Sequence, residues 1–288
     1  MPRTISKQVI DVAIIGAGTL ATALAIALKR RGYGVLEIVA RDNSQSVSRA
    51  RKLAKVISAR EVPLREARFA AKVIWICVPD DVISGVARQI AARTEWQGKI
   101  AVHSSGALGS DALAPLKQAG ANIASAHPLM TFVKASKSEL RGVPFAIEGD
   151  PKALAILRTI VRKLGGKPFQ IATEMKPAYH LFGFFSSPAL IALMTAGQLA
   201  GELAGFDARK SRALMEPIVR QSIENFFRGT PQQSFSGPLR RGDLVTLRKH
   251  LDVLRAQPEL LTLYRSLAGI ALKELPVTNA EALRKLIG

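Results

Sequence analysis

The chain has 288 residues, 48% of them hydrophobic, which is long enough for two domains with sizeable cores. Its single cysteine, Cys77, excludes an intrachain disulfide framework. The formal net charge of +19 raises nucleic acid as a partner, but zinc-ligand spacings, ribonucleoprotein-type aromatic motifs and basic heptads are missing from the sequence.

The opening Met-Pro-Arg-Thr-Ile-Ser-Lys has no long apolar run, so no secretory leader is expected. No uninterrupted apolar run reads as long enough to span a bilayer, and the cytoplasm is the expected location. The first element is an apolar strand, Val12 to Ile15, which feeds directly into Gly16-Ala-Gly18-Thr-Leu-Ala21. Ala-rich helical sequence follows to about Arg31. Strand, glycine turn and helix in immediate succession predict a dinucleotide-binding turn. Gly16 permits the tight turn, Gly18 lets a pyrophosphate approach the backbone, and Ala21 packs helix on strand. With Thr19 and Leu20 the two glycines are the expected phosphate contacts at the positive end of the helix.

A β-branched run, Val35 to Arg41, follows the Gly32-Tyr-Gly34 turn and predicts the second strand. In such folds its end meets the adenosine ribose, where an NAD enzyme usually presents an acid. Here Arg41 can pair with a 2′-phosphate and Ser44 can add a hydrogen bond, so NADP is expected over NAD; Asp42 argues the other way. Residues 41–72 hold nine basic groups against three acidic ones, a field that would attract a multiply charged cofactor. The basic excess follows this part of the chain: 26 Lys and Arg against 12 Asp and Glu through residue 172, then 15 against 10.

Alternation continues downstream. A helix is predicted over Ser46–Ile57, and a buried strand over Lys72–Val78, with Cys77 an inert core thiol. Val78, Pro79 and Asp80 at that strand's end are expected cofactor contacts, and Asp81 is the expected N-cap of a helix to Ala92. Strands are predicted over Lys99–His103, Asn122–Ala126, Val143–Glu148 and Pro168–Ile171. Helices are predicted over Asp111–Ala119 and from Pro151 to about Leu164. From Thr173 onward strand signals vanish, and apolar residues recur at helical spacing over about 178–204, 208–228, 243–256, 258–274 and 279–287. The expected fold is α/β: a doubly wound, mainly parallel Rossmann sheet over residues 1–172, then an all-helical C-terminal domain over 173–288. The loop Gly229–Pro238 between helices is long enough to suggest a function.

Ligands in open α/β sheets bind beyond the carboxyl ends of the strands. Two of the four histidines, His103 and His127, fall there and are candidate acid/base groups; the alternative is that they hold loop backbone. Ser104 and Ser105 could bind substrate or the nicotinamide amide. Lys176 and His180 are four residues apart, a spacing that shares one helix face, although Pro177 biases Lys176 away from helical geometry. Arg241 offers a fork for a carboxylate or phosphate, whereas Asp243 two residues on reads as a helix N-cap. No spacing demands a metal.

These motifs together resemble a set of bacterial proteins with a Rossmann-like NAD(P)-binding domain and a C-terminal helical domain of unknown function. The resemblance rests on Gly16-x-Gly18, His103-Ser-Ser-Gly-Ala107, His127-Pro128-Leu129, Lys176-x-x-Tyr179-His180 and Gly237-Pro-x-x-Arg-Gly-Asp243. More remotely the architecture is similar to deazaflavin-dependent NADP reductases, prephenate dehydrogenases, pyrroline-carboxylate reductases and the β-hydroxyacid dehydrogenases, in the wider 6-phosphogluconate dehydrogenase-like group. It implies a two-domain NAD(P)-dependent oxidoreductase that dimerises through its helical domains. The implied reaction passes hydride between nicotinamide and a small carbonyl, imine or hydroxy acid in an interdomain cleft. His127 or His103 would be the acid/base, and Lys176 would orient an anionic or carbonyl group. Two departures open alternatives. Lys176-Pro-Ala-Tyr-His180 resembles the Lys-x-x-x-Asn pair of β-hydroxyacid dehydrogenases, with His in place of Asn. Pro188 stands where the family segment usually has Asn, which removes an amide and predicts a helix kink. A non-catalytic NADP-binding or redox-sensing protein would fit that loss, and Ser125-Ala-His127-Pro128 would fit a prephenate-dehydrogenase-like enzyme. The apolar stripe Phe182, Phe184, Phe185, Leu190, Leu193 and Met194 predicts a homodimer.

Overall fold

A computed structural model describes residues 10–41, 43–133 and 139–288. The opening heptad and Asp42 lie outside the described residues. The chain separates into two compact units, Met1–Ser187 and Pro188–Gly288.

The first unit is built on one sheet of eight strands: β1 (Asp11–Ile15), β2 (Gly34–Ala40), β3 (Arg60–Pro63), β4 (Val73–Ile76), β5 (Ile100–His103), β6 (Asn122–Pro128), β7 (Pro144–Gly149) and β8 (Lys167–Gln170). Their order is β3-β2-β1-β4-β5-β6-β7-β8. All neighbours are parallel except β6 and β7, which pair antiparallel with His127 opposite Ala146. The order reverses between β1 and β4, where this topology opens a crevice at the carboxyl ends of the strands. Helices α1 (Thr19–Arg30), α2 (Ser44–Ile57), α3 (Asp80–Ala91), α4 (Ala114–Gln118) and α5 (Pro151–Lys163) connect the strands. The two faces carry separate apolar clusters. One gathers Leu24, Leu28 and Leu157 around Val12 and Trp75; the other gathers Ile83, Ile90 and Trp96 around Ile74 and Ile76. Strands buried on both faces explain the near-continuous apolar runs Val73–Ile76 and Ile100–Val102.

Four local expectations need correction. Arg60–Pro63 forms an edge strand, hidden in sequence because Arg60 and Glu61 break the apolar pattern. Asp81 does not cap α3: the helix begins at Asp80 behind Pro79, with no side-chain cap. The segment expected as one helix from Asp111 starts as a 3-10 turn, Ser110–Leu113, before α4. Lys176 is helical despite preceding proline, at φ −59° and ψ −41°. It opens α6 (Lys176–Ser186), and a proline in the first turn removes no needed N–H.

The second unit comprises α7 (Pro188–Leu203), α8 (Ala208–Arg228), the short α9 (Pro231–Ser234) and α10 (Pro238–Arg241), then α11 (Leu244–Leu254), α12 (Pro258–Glu274) and α13 (Ala280–Ile287). The segment expected as one helix over 178–204 is two, because Ser187 leaves helical geometry at φ −141° and Pro188 starts afresh. Helices α7 and α8 cross closely: a Cβ on Gly201 would lie 2.5 Å from the Ser211 hydroxyl. Leu247, Ala268, Leu283 and Ile287 form the small core of α11–α13. The loop expected at 229–238 is largely structured, with a Thr230 and Gln233 capping box on α9. Thr173–Leu203 is apolar and long enough by composition to cross a membrane, which the sequence reading did not expect. The stretch is broken at Ser187, and it carries a buried cation, Lys176, bonded to the strands of the first unit.

Candidate functional site

The glycine turn is forced by packing. Gly16 has φ +109°, and a Cβ there would lie 2.2 Å from the Cys77 carbonyl oxygen. Only glycine lets the β1 turn pass the end of β4 so closely. Gly18 differs: nothing lies within 4 Å of its missing Cβ, and it is the exposed N-cap of α1. No side chain caps α1 and no acid occupies its first turn, so the positive end of the helix is left without a counter-charge from the chain there. Gly18, Thr19 and Leu20 line a groove of about 330 Å³ together with Val78, Pro79, Asp80, Ser104 and Phe132. Of the expected cofactor residues, Gly18, Thr19, Leu20, Val78, Pro79 and Asp80 therefore line one groove, and Gly16 shapes the turn behind it.

Arg41 and Ser44 frame the β2–α2 connection. Asn43 caps α2 by accepting from the Ser46 N–H, and the Ser46 hydroxyl accepts from the Arg41 N–H. Arg41 is half-buried, its guanidinium has no ion pair among the described residues, and α2 has no acid in its first turn. Cation, exposed Ser44 hydroxyl and helix N-terminus would suit a phosphate monoester there. The open turn at Gly18 and this basic connection fit a dinucleotide carrying a 2′-phosphate.

Beyond β5 and β6 lies a polar cluster. His103 is fully buried, its Nδ1 accepts from the Ser105 N–H, and its Nε2 lies 2.9 Å from the Gly109 carbonyl oxygen. Both ring nitrogens are thus used by loop backbone. The ring is neutral, with burial lowering its pKa to about 4. His103 anchors the loop, so its expected acid/base role is corrected to a structural one. The Ser105 hydroxyl is also committed: it donates to Asp80 at 2.6 Å and accepts from the Ala107 and Leu108 N–H groups. That leaves no capacity for a substrate, contrary to expectation. Ser104 keeps its place on the groove, where its hydroxyl accepts from the Trp75 indole at 2.8 Å. Burial pushes the Cys77 thiol up to about 12, but Cys77 is only half-buried and lines the groove, so it is not the core residue expected.

Lys176 is 1% exposed. Its ammonium donates to the Ser105 carbonyl and the Ser125 hydroxyl, and Glu148 lies 3.9 Å away. Glu148, equally buried, accepts from the Ser110 N–H and hydroxyl and from the Thr173 hydroxyl. Burial lowers the Lys176 pKa to about 8 against the pull of Glu148, Asp80 and Asp111. Lys176 thus ties the start of α6 to the loop after β5, to β6 and, as an ion pair, to β7.

His127 is the histidine left with a free edge. Its Nδ1 lies 2.8 Å from the Tyr179 hydroxyl, and its Nε2 has no partner among the described residues. Burial, reinforced by Lys176 and His180, lowers its pKa to about 4, so the ring is neutral near pH 7. The exposed His180 ring packs edge-on at 6.5 Å between centroids. Between the two rings stands Gly106: a Cβ there would meet His180 Cδ2 at 2.8 Å and His127 Nε2 at 2.9 Å. The first unit thus brings His127, His180, Lys176 and Asp80 around one loop, residues 104–108. Tyr179 was missed as a site residue. The signal was present, because Lys176 and Tyr179 are three residues apart and form the buried face of α6.

In the second unit, most of the Gly237–Asp243 motif has structural work. Arg240 donates to the Gln232 and Phe235 carbonyls. Gly242 is left-handed at φ +68° and abuts the Thr278 carbonyl. Asp243 caps α11 through the Thr246 N–H, as expected. Arg241 is exposed; its N–H donates to the Gly237 carbonyl, and its guanidinium has no hydrogen bond or ion pair among the described residues.

Residues 2–128 match a Rossmann-like domain, and residues 143–270 match a domain of unknown function, DUF2520. Comparison with curated proteins finds no match. Among solved structures, the chain is similar to a candidate NADP oxidoreductase from Bacteroides fragilis, at 22% identity and TM-score 0.77, over 91% of this chain and 98% of that one. A Thermotoga maritima protein is similar at 26% identity and TM-score 0.68, over 96% and 98%. An imine reductase from Myxococcus stipitatus, in complex with NADP+, is similar at 17% identity and TM-score 0.66, over 95% and 99%. Identities this low speak for a shared fold. The two domain matches together span most of the chain, one over its N-terminal part and one over its C-terminal part.

Proposed function

We propose that the protein is an NADP-dependent oxidoreductase acting on a small carbonyl, imine or hydroxy acid. The observation that carries this reading is the open glycine turn at Gly18, facing a groove, with the exposed Ser44 and with Arg41, which has no ion pair among the described residues, at the next strand end. Gly16, Gly18, Thr19 and Leu20 would hold the pyrophosphate, Arg41 and Ser44 the 2′-phosphate, and Val78, Pro79 and Asp80 the nicotinamide ribose side. The bound dinucleotide supplies or accepts the hydride. His127 is the proposed hydrogen-bonding group at the reacting atom, flanked by His180, with Lys176 and Asp80 positioning the loop that carries Gly106. Arg241 is the proposed contact for a carboxylate or phosphate. The fold likeness to an imine reductase crystallised with NADP+ supports the cofactor and the reaction class. Calorimetry tests the cofactor assignment: NADPH should bind at least tenfold more tightly than NADH, and equal affinities would contradict it.

We also infer a homodimer. Helix α7 is rich in apolar residues yet buries none of them, and Leu214, Ile218, Phe226 and Phe227 on α8 are exposed. So large an apolar surface is typical of an obligate interface between subunits.

A further inference from the structure

The hydrogen bond between Tyr179 and His127 has two readings that differ in what the free edge of the imidazole can do. If Nδ1 carried the ring proton and donated to Tyr179, the phenolic O–H would have no acceptor among the described residues. Tyr179 is only 9% exposed, and a buried donor left unsatisfied is destabilising. If the phenol donates to Nδ1, both groups are satisfied, and the neutral ring must carry its proton on Nε2. That nitrogen faces the space beside Gly106, where no described side chain takes the proton.

We propose that Tyr179 and His127 form a proton relay, in which the Tyr179 hydroxyl holds His127 in the Nε2–H form and resupplies its proton. This rests on the oxidoreductase reading. The proton accounting closes through these two residues. A bound NADPH would supply hydride to a substrate carbonyl carbon, and the carbonyl oxygen would then need one proton. The oxygen takes the Nε2 proton while Nδ1 takes the phenolic proton, leaving a neutral Nδ1–H imidazole and a phenolate. The pair resets when water protonates the open Nε2 edge and Nδ1 returns its proton to the phenolate. No imidazolium is needed, consistent with burial holding the ring pKa near 4. The relay also narrows the substrate. An Nε2–H donor needs a lone pair at the reacting atom, which a carbonyl oxygen has and a protonated iminium nitrogen lacks. Burial likewise keeps the Tyr179 proton on the phenol in the resting state, pushing that group up to about 12.

The test is nitrogen NMR of the histidine-labelled protein near pH 7, with His127 assigned by its loss in His127→Asn. The native protein should show a pyrrole-type Nε2 and a pyridine-type Nδ1. Tyr179→Phe removes one hydroxyl and should redistribute the proton over both nitrogens, which a merely structural tyrosine would not do. NADPH titrated into both proteins by calorimetry should bind with the same affinity, because Tyr179 is outside the proposed cofactor contacts. A native Nδ1–H tautomer, or a tautomer unmoved by Tyr179→Phe, with NADPH still bound, would overturn the relay alone. Failure of the native protein to bind NADPH would overturn the oxidoreductase reading and the relay with it.

Discussion

Replacing Gly16 with Ala places a methyl group within 2.2 Å of the Cys77 carbonyl at a φ of +109°. The expected result is loss of NADPH binding together with destabilisation of the β1 turn, read by calorimetry and by denaturant unfolding. Arg41→Ala should leave the fold intact and remove most of the preference for NADPH, a loss of about 1.5–3 kcal/mol for a charge-assisted contact. Unchanged NADPH affinity would rule out Arg41 as the 2′-phosphate contact. His103 and His127 both have folded pKa values near 4, below the usual 6.5. The unfolded chain therefore binds more protons between pH 6.5 and 4, and stability falls as pH drops through that window. Proton NMR should show both rings still neutral at pH 5; titration of either near 6.5 would contradict their burial. The candidate residues were legible in sequence as types at strand ends, but their roles were not. His103 and His127 end successive strands alike, and only the three-dimensional partners, loop backbone for one and Tyr179 for the other, separate them.

Helix α6 shows what one element contributes. Its Lys176 reaches the loop after β5, and β6 and β7, within the first unit, so the helix start is held by a buried cation and its carboxylate partner. Lys176→Met would leave Glu148 buried without its counter-charge and should cost on the order of 3 kcal/mol, measured by urea unfolding. Adding Glu148→Gln should recover part of that loss; a strictly additive second penalty would show that the pair is not coupled. Glycine turns, apolar strand runs and helical periodicity made most elements readable in order. Boundaries failed where tertiary contacts decided them. The edge strand β3 is recruited by pairing with β2 despite its charged residues, and Ser187 with Pro188 divides a continuous apolar pattern into two helices. Within the motif Gly237–Asp243, sequence could identify the Asp243 cap, but the packing of Gly242 on Thr278 depends on residues far along the chain.

At the scale of the whole molecule, the exposed apolar helices α7 and α8 lead us to expect a dimer. Light scattering at micromolar concentration should give twice the 31.0 kDa chain mass, and a clean monomer would contradict the inferred interface. Substituting Phe226 and Phe227 with charged residues should shift the protein towards monomer. The charge of +19, concentrated up to residue 172, should also make NADPH association faster at low ionic strength than at high. The central claim is that this chain transfers hydride through NADP, and it is tested most directly with NADPH deuterated at the transferable C4 position. Incubated with the protein and a panel of small carbonyls, imines and their reduced partners, the cofactor should lose its label, and mass spectrometry should find deuterium on the substrate carbon. Tight NADPH binding with the label retained across the whole panel would contradict an oxidoreductase and identify an NADP-binding protein without turnover.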